Sequence, residues 1–506
     1  MQPLSRSSLR AVVLLATAPL ALLPATVRAQ AARAATPPGM SAIRTQDLKR
    51  DLYYMASDAM RGREAGTLDE MRASMWVADQ ARKAGLQPAG DDGTYFQWWS
   101  MRRVQILPAS TVTVGNRSLA LWTEAAIGNT APATVDAPTV FVGAGTDADL
   151  AHVDVKGKVA VAQLVTPPNA PGPNVSLWEW RYTRLAMAVQ GRRLLQAGAA
   201  AVILVADSVA ETGFEFVSVY AERGVYDVDD PSVAKPPAPR PPVILVHRNM
   251  LDALRADGQP ASIHLQTYSY TYPSVNIVGK VPGTDATLRN EYVLFSGHQD
   301  HDGVRFPVAG DSIWNGADDN ASTSVALLAI ARAWVAHPGK RSALFVWHGA
   351  EERGLLGSRY HAAHPVVPLH DIVAVLNGDM MGRNNPDTAS ILGVQPPHRN
   401  STALVNMAIQ ADNMTGKFVI DSTWDRPTHP EGWYFRSDHL PYARLGVPAL
   451  FFSTNLHPDY HTPRDEPSRI DYAKLTRMTQ WMYATGWLVA NAAQRPALDP
   501  GFKLER

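Results

Sequence analysis

The chain of 506 residues contains no cysteine, and its 47 lysines and arginines are balanced by 47 aspartates and glutamates. Without cysteine it has neither a disulfide framework nor a lipid-attachment cysteine, so we expect a fold stabilised by its core alone. A net charge of zero with no basic stripe argues against nucleic acid or an anionic membrane surface as the partner. Hydrophobic and charged fractions of 46% and 19% are those of an ordinary globular protein.

The chain also lacks an evident membrane-spanning run near its N-terminus. The apolar segment AVVLLATAPLALL is too short and too interrupted by proline to cross a bilayer. Arg6 and Arg10 precede it and PATVRAQA follows, which is the pattern of a secretory signal cleaved after Ala29. An uncleaved anchor is the alternative. We expect residues 1–29 to be a signal peptide, 30–40 a linker, and the protein to be exported, periplasmic or secreted.

Two regions with different sequence patterns follow along the chain. Helical periodicity from residue 41 ends at Gly85 as a C-cap, and a turn then leads into a strand. Over 118–265, short β-branched runs such as GKVAVAQL and AAVILVAD predict a separate, mostly β module inserted into the first domain. The catalytic domain would then comprise 41–117 and 266–495, with a C-terminal tail at 496–506.

From residue 266 onward, near-continuous apolar runs alternate with helical patterns. YVLFS, ALFVW, IVAVLN and PALFFS have the composition of buried strands, and STSVALLAIARAWVA is typical of a buried helix. Fully apolar strands that alternate with helices predict an α/β fold, with a mostly parallel (mixed) central sheet flanked by helices.

Metal-binding residue types follow each of these strands. GHQDHDG comes after YVLFS, HGAEER after ALFVW, NGDMMGR after IVAVL and DYHTPRDE after PALFFS, while GADDNAST enters a helix. Ligands bind beyond the carboxyl ends of parallel strands, and His, Asp and Glu are ligands of zinc-type metals. The sequence therefore predicts a metal site at one edge of the sheet.

The ligand types fit two metals. The predicted ligands are two imidazoles and three carboxylates: His298, Asp319, Glu352, Asp379 and His461. If Asp319 bridges, each zinc receives one histidine, one terminal carboxylate and half of the bridge, and a shared water completes both; such metals lie about 3.5–4 Å apart. We prefer Asp319 to Asp318 because of the Asp-x-x-Ser spacing.

Two glutamates stand side by side in WHGAEERGLLGS, and a surface turn would explain them if they occurred alone. With Glu352 as a ligand, its neighbour Glu351 is free to act as a general base. It would take a proton from the bridging water as that water attacks the carbonyl, and deliver the proton to the leaving amine.

Six motifs carry a resemblance: GHQDHDG, GADDNAS, HGAEERGLLGS, NGDMMGR, FRSDHLPYARLGVPAL and DYHTPRDE, in this order, together with LYYMASDAMRGREAGT. They resemble the co-catalytic (dizinc) metallo-aminopeptidase superfamily, zinc exopeptidases that include leucyl aminopeptidases, glutamate carboxypeptidase-like enzymes and glutaminyl cyclases. The resemblance implies the zinc-exopeptidase (phosphorylase/hydrolase-like) fold and two Zn²⁺ per chain. The 118–265 module resembles the protease-associated domain, which implies a lid or substrate-gating role.

The resemblance also implies individual roles. The family's ligand positions fall on His298 and Asp379 for one metal, Glu352 and His461 for the other, Asp319 as the bridge and Glu351 as the base. Asp300 would hold the ring of the first histidine ligand as a neighbouring carboxylate. Tyr460 and Arg436 would polarise the carbonyl or contact the substrate. His301 and Asp302 are interpreted as loop residues.

The resemblance, through the family's weight among exported proteins, implies an aminopeptidase acting on peptides with a free N-terminus. We expect neither nucleic acid as a partner nor stable membrane insertion. The sequence does not indicate an oligomeric state. A carboxypeptidase or glutaminyl cyclase of the same superfamily, and a non-enzymatic receptor-like relative, remain alternatives. A serine hydrolase using Gly310-Asp311-Ser312 is discounted because no Gly-x-Ser-x-Gly elbow is present.

Overall fold

Two large sheets dominate the computed structural model, which describes residues 36–233 and 239–505. The predicted signal peptide lies outside the described residues. The strands are β1 (Gln87–Pro88), β2 (Phe96–Ile106), β3 (Thr111–Val114), β4 (Arg117–Ser118), β5 (Ala125–Ile127), β6 (Ala133–Phe141), β7 (Val159–Gln163), β8 (Ala201–Val205), β9 (Val225–Val228), β10 (Val243–Val246), β11 (Pro260–Leu265), β12 (Thr267–Val281), β13 (Tyr292–His298), β14 (Gly303–Val308), β15 (Asp311–Trp314), β16 (Ser342–His348), β17 (Ile372–Gly378), β18 (Thr388–Leu392), β19 (Val419–Ile420) and β20 (Ala449–Ser453).

Helices pack against both sheets. They are α1 (Thr45–Met55), α2 (Leu68–Ala84), α3 (Asp147–Leu150), α4 (Trp178–Gln196), α5 (Ser208–Glu222), α6 (Leu251–Leu254), α7 (Thr323–Ala336), α8 (Leu356–Ala363), α9 (Thr402–Met414), α10 (His439–Arg444) and α11 (Tyr472–Asn491). As predicted, Gly85 caps the C-terminus of α2, where its φ of 92° favours glycine. Within the described ranges, no helix has both the length and the apolar composition needed to cross a bilayer.

The larger sheet has ten strands, in the order β19-β18-β20-β17-β13-β16-β12-β2-β9, with β1 paired to β12. Its central strands β20, β17, β13 and β16 are parallel. Strands β12, β2 and β9 on one side, and β18 on the other, pair antiparallel with their neighbours. The sheet is therefore mixed, and the parallel part consists of the four strands predicted from apolar runs.

Burial on both faces explains the unbroken apolar pattern of these strands. Phe295 of β13 packs with Trp334 of α7 and Trp481 of α11 on one face. Its neighbour Leu294 points to the opposite face, where it packs with Tyr442 of α10. In α7, eleven of fourteen residues are buried, so this helix lies inside the core rather than on a solvated face.

The second sheet has eight strands, in the order β4-β3-β11-β6-β7-β8-β10-β5, and lies within residues 111–265. Helices α4 and α5 cover one of its faces through side chains such as Met187 and Phe214. The chain enters this sheet from β2 and returns through β12, and the two strands pair along the whole of β2. The protease-associated identity predicted for 118–265 falls on this sheet and stays a prediction.

A buried arginine joins the N-terminal segment to the loops beside the central strands. The guanidinium of Arg63 donates hydrogen bonds to the carbonyls of Met55, Gln299, Asn315 and Gly316, at 2.7–2.9 Å. These carbonyls lie in irregular backbone or at the end of a helix, so they accept no hydrogen bond from a neighbouring strand. Arg63 thus fixes two loops that adjoin the predicted ligands.

We expect Arg63→Met to lower the free energy of unfolding by about 3–5 kcal/mol, because it leaves four buried carbonyls without a donor. Urea unfolding followed by circular dichroism measures this change. The matched control is Arg82→Met, whose guanidinium is largely exposed and pairs with Asp79 on the surface; we expect a change of about 1 kcal/mol or less. Equal changes in the two variants would contradict the structural role of Arg63.

Candidate metal centre

The carboxyl ends of the parallel strands place the predicted ligands at one edge of the sheet. His298 is the last residue of β13, and Asp379 directly follows β17. Glu352 lies in a 3₁₀ turn that follows β16, and Asp319 in a π-helical turn that precedes α7. His461 lies in the loop between β20 and α11. Strand direction, together with the turn before α7 and the loop after β20, therefore brings together side chains that are up to 163 residues apart.

Asp319 lies at the centre of the group. Its Oδ1 is 3.3 Å from Nε2 of His298, and its Oδ2 is 3.0 Å from Nε2 of His461. Nε2 of His298 is also 3.5 Å from Oδ2 of Asp379, and Nε2 of His461 is 3.1 Å from Oε2 of Glu352. One carboxylate is thus shared by two sets of ligand atoms, as a bridging role requires.

The ligand atoms form sets of the size that a metal ion needs. His298, Asp319 and Asp379 make one set, with all ligand atoms within 4.8 Å of one another. His301, Asp319, Glu352 and His461 make a second, equally tight set. Nε2 of His298 and Oδ1 of Asp379 are buried without a hydrogen-bond partner, which is costly unless a cation binds there. The residues therefore fit a pair of divalent metal ions.

Asp318 faces away from this centre. Its Oδ1 accepts a hydrogen bond of 2.6 Å from the backbone of Gly382, and its Oδ2 lies 3.5 Å from His457. Asp465 holds the turn, because its carboxylate accepts the backbone N–H groups of Asp318 and Asp319 at 3.0–3.1 Å. The choice of Asp319 from the Asp-x-x-Ser spacing agrees with this geometry.

Asp300 differs from its predicted role. Nδ1 of His298 lies 3.1 Å from the backbone carbonyl of Asp300, whereas the carboxylate is 3.7 Å away. The carboxylate instead accepts the backbone N–H groups of Glu351 and Glu352, at 3.0 and 3.3 Å. Asp300 is therefore a positioning residue for the glutamate pair, because the loop turns its side chain toward the end of β16.

His301 and Asp302, interpreted from the sequence as loop residues, lie among the predicted metal ligands. His301 is buried, its Nδ1 lies 2.9 Å from Oε1 of Glu352, and its Nε2 has no partner. Asp302 lies 3.3 Å from Nδ1 of His461, so it contacts the ring on the side opposite Asp319. A neighbouring carboxylate of this kind fixes the orientation of a ligand histidine. The available signal was the density of ligand types in GHQDHDG.

The environment shifts the pKa values of the two adjacent glutamates in opposite directions. Burial raises the pKa of Glu351 well above its usual value, and the negative charges of Glu352 and Asp379 add to this effect. Burial also disfavours charge on Glu352, but His461 and His301 outweigh it and hold the pKa of this carboxyl well below its usual value. One carboxylate is thus suited to bind a cation, and its neighbour to carry a proton.

Tyr460 and Arg436 line the cavity beside the ligands. The phenol oxygen of Tyr460 accepts a hydrogen bond of 3.0 Å from Arg436, and its ring stacks on that of His461 with the centroids 3.9 Å apart. Burial, and the charges of Asp319 and Glu352, raise the pKa of Tyr460 well above its usual value. Its hydroxyl therefore stays protonated and able to donate.

Comparison with known proteins confirms the resemblance. Residues 276–486 match the model of peptidase family M28. A probable leucine aminopeptidase of Arthroderma otae is 26% identical over 219 residues, which are 41% of this chain and 55% of that protein. Leucine aminopeptidase 1 of Penicillium rubens is 27% identical over 230 residues, 43% of this chain and 55% of its own length. The chain thus spans about half the length of the curated relatives it matches.

Solved structures with the same fold cover more of the chain. An aminopeptidase from Aneurinibacillus sp. strain AM-1 has a TM-score of 0.58 at 18% identity, covering 91% of this chain and 97% of that chain. BSAP, a zinc aminopeptidase from Bacillus subtilis, has a TM-score of 0.56 at 20% identity, covering 93% and 100%. These likenesses confirm the predicted α/β zinc-exopeptidase fold.

We expect His461→Ala to reduce bound zinc from two ions per chain toward one, because it removes an imidazole that faces both Asp319 and Glu352. Elemental analysis after dialysis against zinc measures the stoichiometry without any activity assay. The control is His264→Ala, since this half-exposed histidine pairs with Asp136 on the second sheet. Two zinc ions retained by the His461 variant would refute its assignment as a ligand.

Proposed function

We propose that this chain, whose residues 276–486 match peptidase family M28, is a zinc exopeptidase that removes the N-terminal residue of peptides. The observation that carries the proposal is the position of Asp319, one oxygen of which faces His298 and the other His461. We assign one zinc to His298 and Asp379 and the other to Glu352 and His461, with Asp319 as the bridge. When bound there, zinc would supply a Lewis acid for the scissile carbonyl and would lower the pKa of water.

Glu351 is the proton carrier in this proposal. Its carboxylate lines the cavity, with Oε2 3.8 Å from Nε2 of His298, and it has no hydrogen bond to another side chain among the described residues. Asp300 fixes its backbone through the N–H group. Glu351 accepts a proton from the attacking water and then donates it to the leaving amine, so that one group serves as base and acid.

Arg436 and Tyr460 form the second polar wall of the reaction space. The Arg436 guanidinium is shared between Glu431, at 2.7 Å, and the Tyr460 hydroxyl. The charges of Glu351 and Asp319 also help to raise its pKa, so it remains cationic despite burial. The Tyr460 hydroxyl is free to donate toward a substrate carbonyl, where charge develops as the bond breaks.

The aminopeptidase assignment is supported by the relatives, since the curated matches are leucine aminopeptidases. A carboxypeptidase or a glutaminyl cyclase would use the same ligand types, so the ligands do not separate these reactions. A serine hydrolase is not supported, because the hydroxyl of Ser312 has no hydrogen-bond partner among the described residues. Export of the protein rests on the sequence of residues 1–29 alone and is part of the proposal.

Product identification by mass spectrometry tests the reaction directly. We expect the zinc-loaded protein to remove only the first residue from free peptides and to leave their N-acetylated forms intact. Loss of the last residue from both forms would instead identify a carboxypeptidase. Loss of ammonia from a peptide that begins with glutamine would identify a cyclase, and no product from a protein with two zinc ions would favour the receptor-like alternative.

Glu351→Gln should lower kcat by at least about 100-fold while two zinc ions remain bound, because the proton carrier is lost and the ligands are kept. The measurements are steady-state kinetics and elemental analysis on the same samples. Glu215→Gln is the matched control, since Glu215 is exposed on α5. A near-native rate in the Glu351 variant would remove this residue from the mechanism.

A further inference from the structure

The cavity beside the metal centre, of about 1660 Å³, has two electrostatic halves. Carboxylates surround the predicted metals, whereas arginines are the main charged residues in the rest of the wall. The arginines of the wall are Arg181, Arg184, Arg192, Arg223, Arg240, Arg353 and Arg436. Arg184, Arg192 and Arg240 are exposed to solvent, and the other four are partly buried. The carboxylate partners of these groups therefore show where the cavity carries unbalanced positive charge.

Most of these arginines near the metal centre are neutralised within the protein. Arg223 pairs with Glu64 at 2.8 Å, and Arg353 pairs with Asp302 at 3.2 Å. Asp302 also accepts a hydrogen bond from Tyr220 of α5. This ionic cluster accounts for two of the arginines, and it connects α5 to the ligand His461.

The arginines on α4 differ from Arg223 and Arg353 in the number of carboxylates that pair with them. Arg181, Arg184 and Arg192 lie on one face of the helix, with Ala188 between them, and all four residues line the cavity. Arg181 and Arg184 are three residues apart, a spacing at which like charges destabilise a helix, so helix stability does not explain this pair. The adjacent Arg193 is not part of the cavity wall and donates to the carbonyl of Gly145.

Fewer carboxylates pair with this row than it has guanidinium groups. Glu431 accepts from Arg181 at 2.8 Å and also from Arg436 at 2.7 Å, so one carboxylate serves two cations. Arg184 and Arg192 pair with no carboxylate among the described residues. Arg184 lies over the ring of Trp180, 4.8 Å from its centroid. The α4 row therefore presents uncompensated positive charge to the cavity.

The row begins beside the reaction centre and leads away from it. The guanidinium of Arg181 is 5.5 Å from the ring centroid of Tyr460, which stacks on His461. From Arg181, the helix advances about 4.5 Å to Arg184 and about 16 Å to Arg192, at 1.5 Å per residue. An extended peptide advances about 3.4 Å per residue. A peptide of about three to five residues therefore spans the distance from the metal centre to this row.

We propose that Arg184 and Arg192 bind a carboxylate on the leaving-group side of the substrate, which makes this protein a peptidase of short anionic peptides. The proposal rests on the proposed function. In a short peptide the C-terminal carboxylate supplies the charge, and an acidic side chain beyond the scissile bond offers the same chemistry. Guanidinium groups bind carboxylates with paired, charge-assisted hydrogen bonds.

Three substrates separate the sources of the carboxylate: Leu-Ala-Ala, its C-terminal amide, and the amide of Leu-Asp-Ala. With the zinc-loaded enzyme at low ionic strength, we expect kcat/KM for the free acid to exceed that for its amide by about 10-fold or more, mainly through KM. Recovery of the lost rate by the Asp-containing amide would identify the acidic side chain as an equivalent source. Equal values for all three, with leucine still released, would overturn this inference and leave the proposed function intact.

Arg184→Met should abolish the preference for the acid over the amide, and Arg184→Lys should retain part of it. Arg193→Met is the matched control, because it removes the same charge from the same helix outside the cavity and should keep the full preference. Equal preferences in the Arg184→Met and Arg193→Met variants would contradict the proposal. Release of no leucine from any substrate would instead refute the proposed function.

Discussion

The candidate site depends on one carboxylate held between two imidazoles. Asp319 faces both His298 and His461, and its position is set by its own backbone, which donates to Asp465. Because Asp319 precedes the buried helix α7, the core that fixes α7 also fixes the position of Asp319. The remaining ligands come from the ends of parallel strands, so their spacing is set by the sheet. The spacing of the predicted ligands, and with it the capacity to hold two metals, therefore depends on the pairing of strands in the larger sheet.

Electrostatics explains why such a group of acids is tolerated. Burial penalises every charged carboxylate, and the structure offsets that penalty unevenly. The imidazoles of His461 and His301 keep Glu352 in its charged form, whereas Glu351 has a strongly raised pKa. Bound cations would remove much of the remaining repulsion. The same environment that stabilises metal binding therefore prepares the adjacent glutamate for proton transfer.

The second sheet and its helices complete the wall of the cavity beside the candidate metal centre. Helix α4 contributes three of the seven arginines and Arg223 follows α5, while the part of the chain around the larger sheet contributes the acids. Tyr220 and Arg223 of this part contact Asp302, which touches the ligand His461. One ionic cluster thus links the end of α5 to the candidate metal centre. A change in the second sheet can alter the reaction centre without touching a ligand.

The local sequence determined much of this protein. Continuous apolar runs specify β13, β16, β17 and β20, because strands buried on both faces need no polar positions. Four of the five predicted ligands come from segments that follow such runs, and Asp319 comes from the segment that enters α7. The order of the motifs carries the family resemblance. The antiparallel strands around the parallel centre were not evident, because pairing direction depends on distant segments.

Tertiary structure alone decided the remaining contacts. Asp300 serves the glutamate turn rather than the His298 ring, and His301 and Asp302 join the centre, because these roles depend on how one loop turns its side chains. Arg181 of α4 lies over the ring of Tyr460, which is 279 residues away in the chain. The sequence determines which residue types each segment contains. The packing of distant segments determines which side chains come into contact, because hydrogen bonds and close ion pairs form only over a few ångströms.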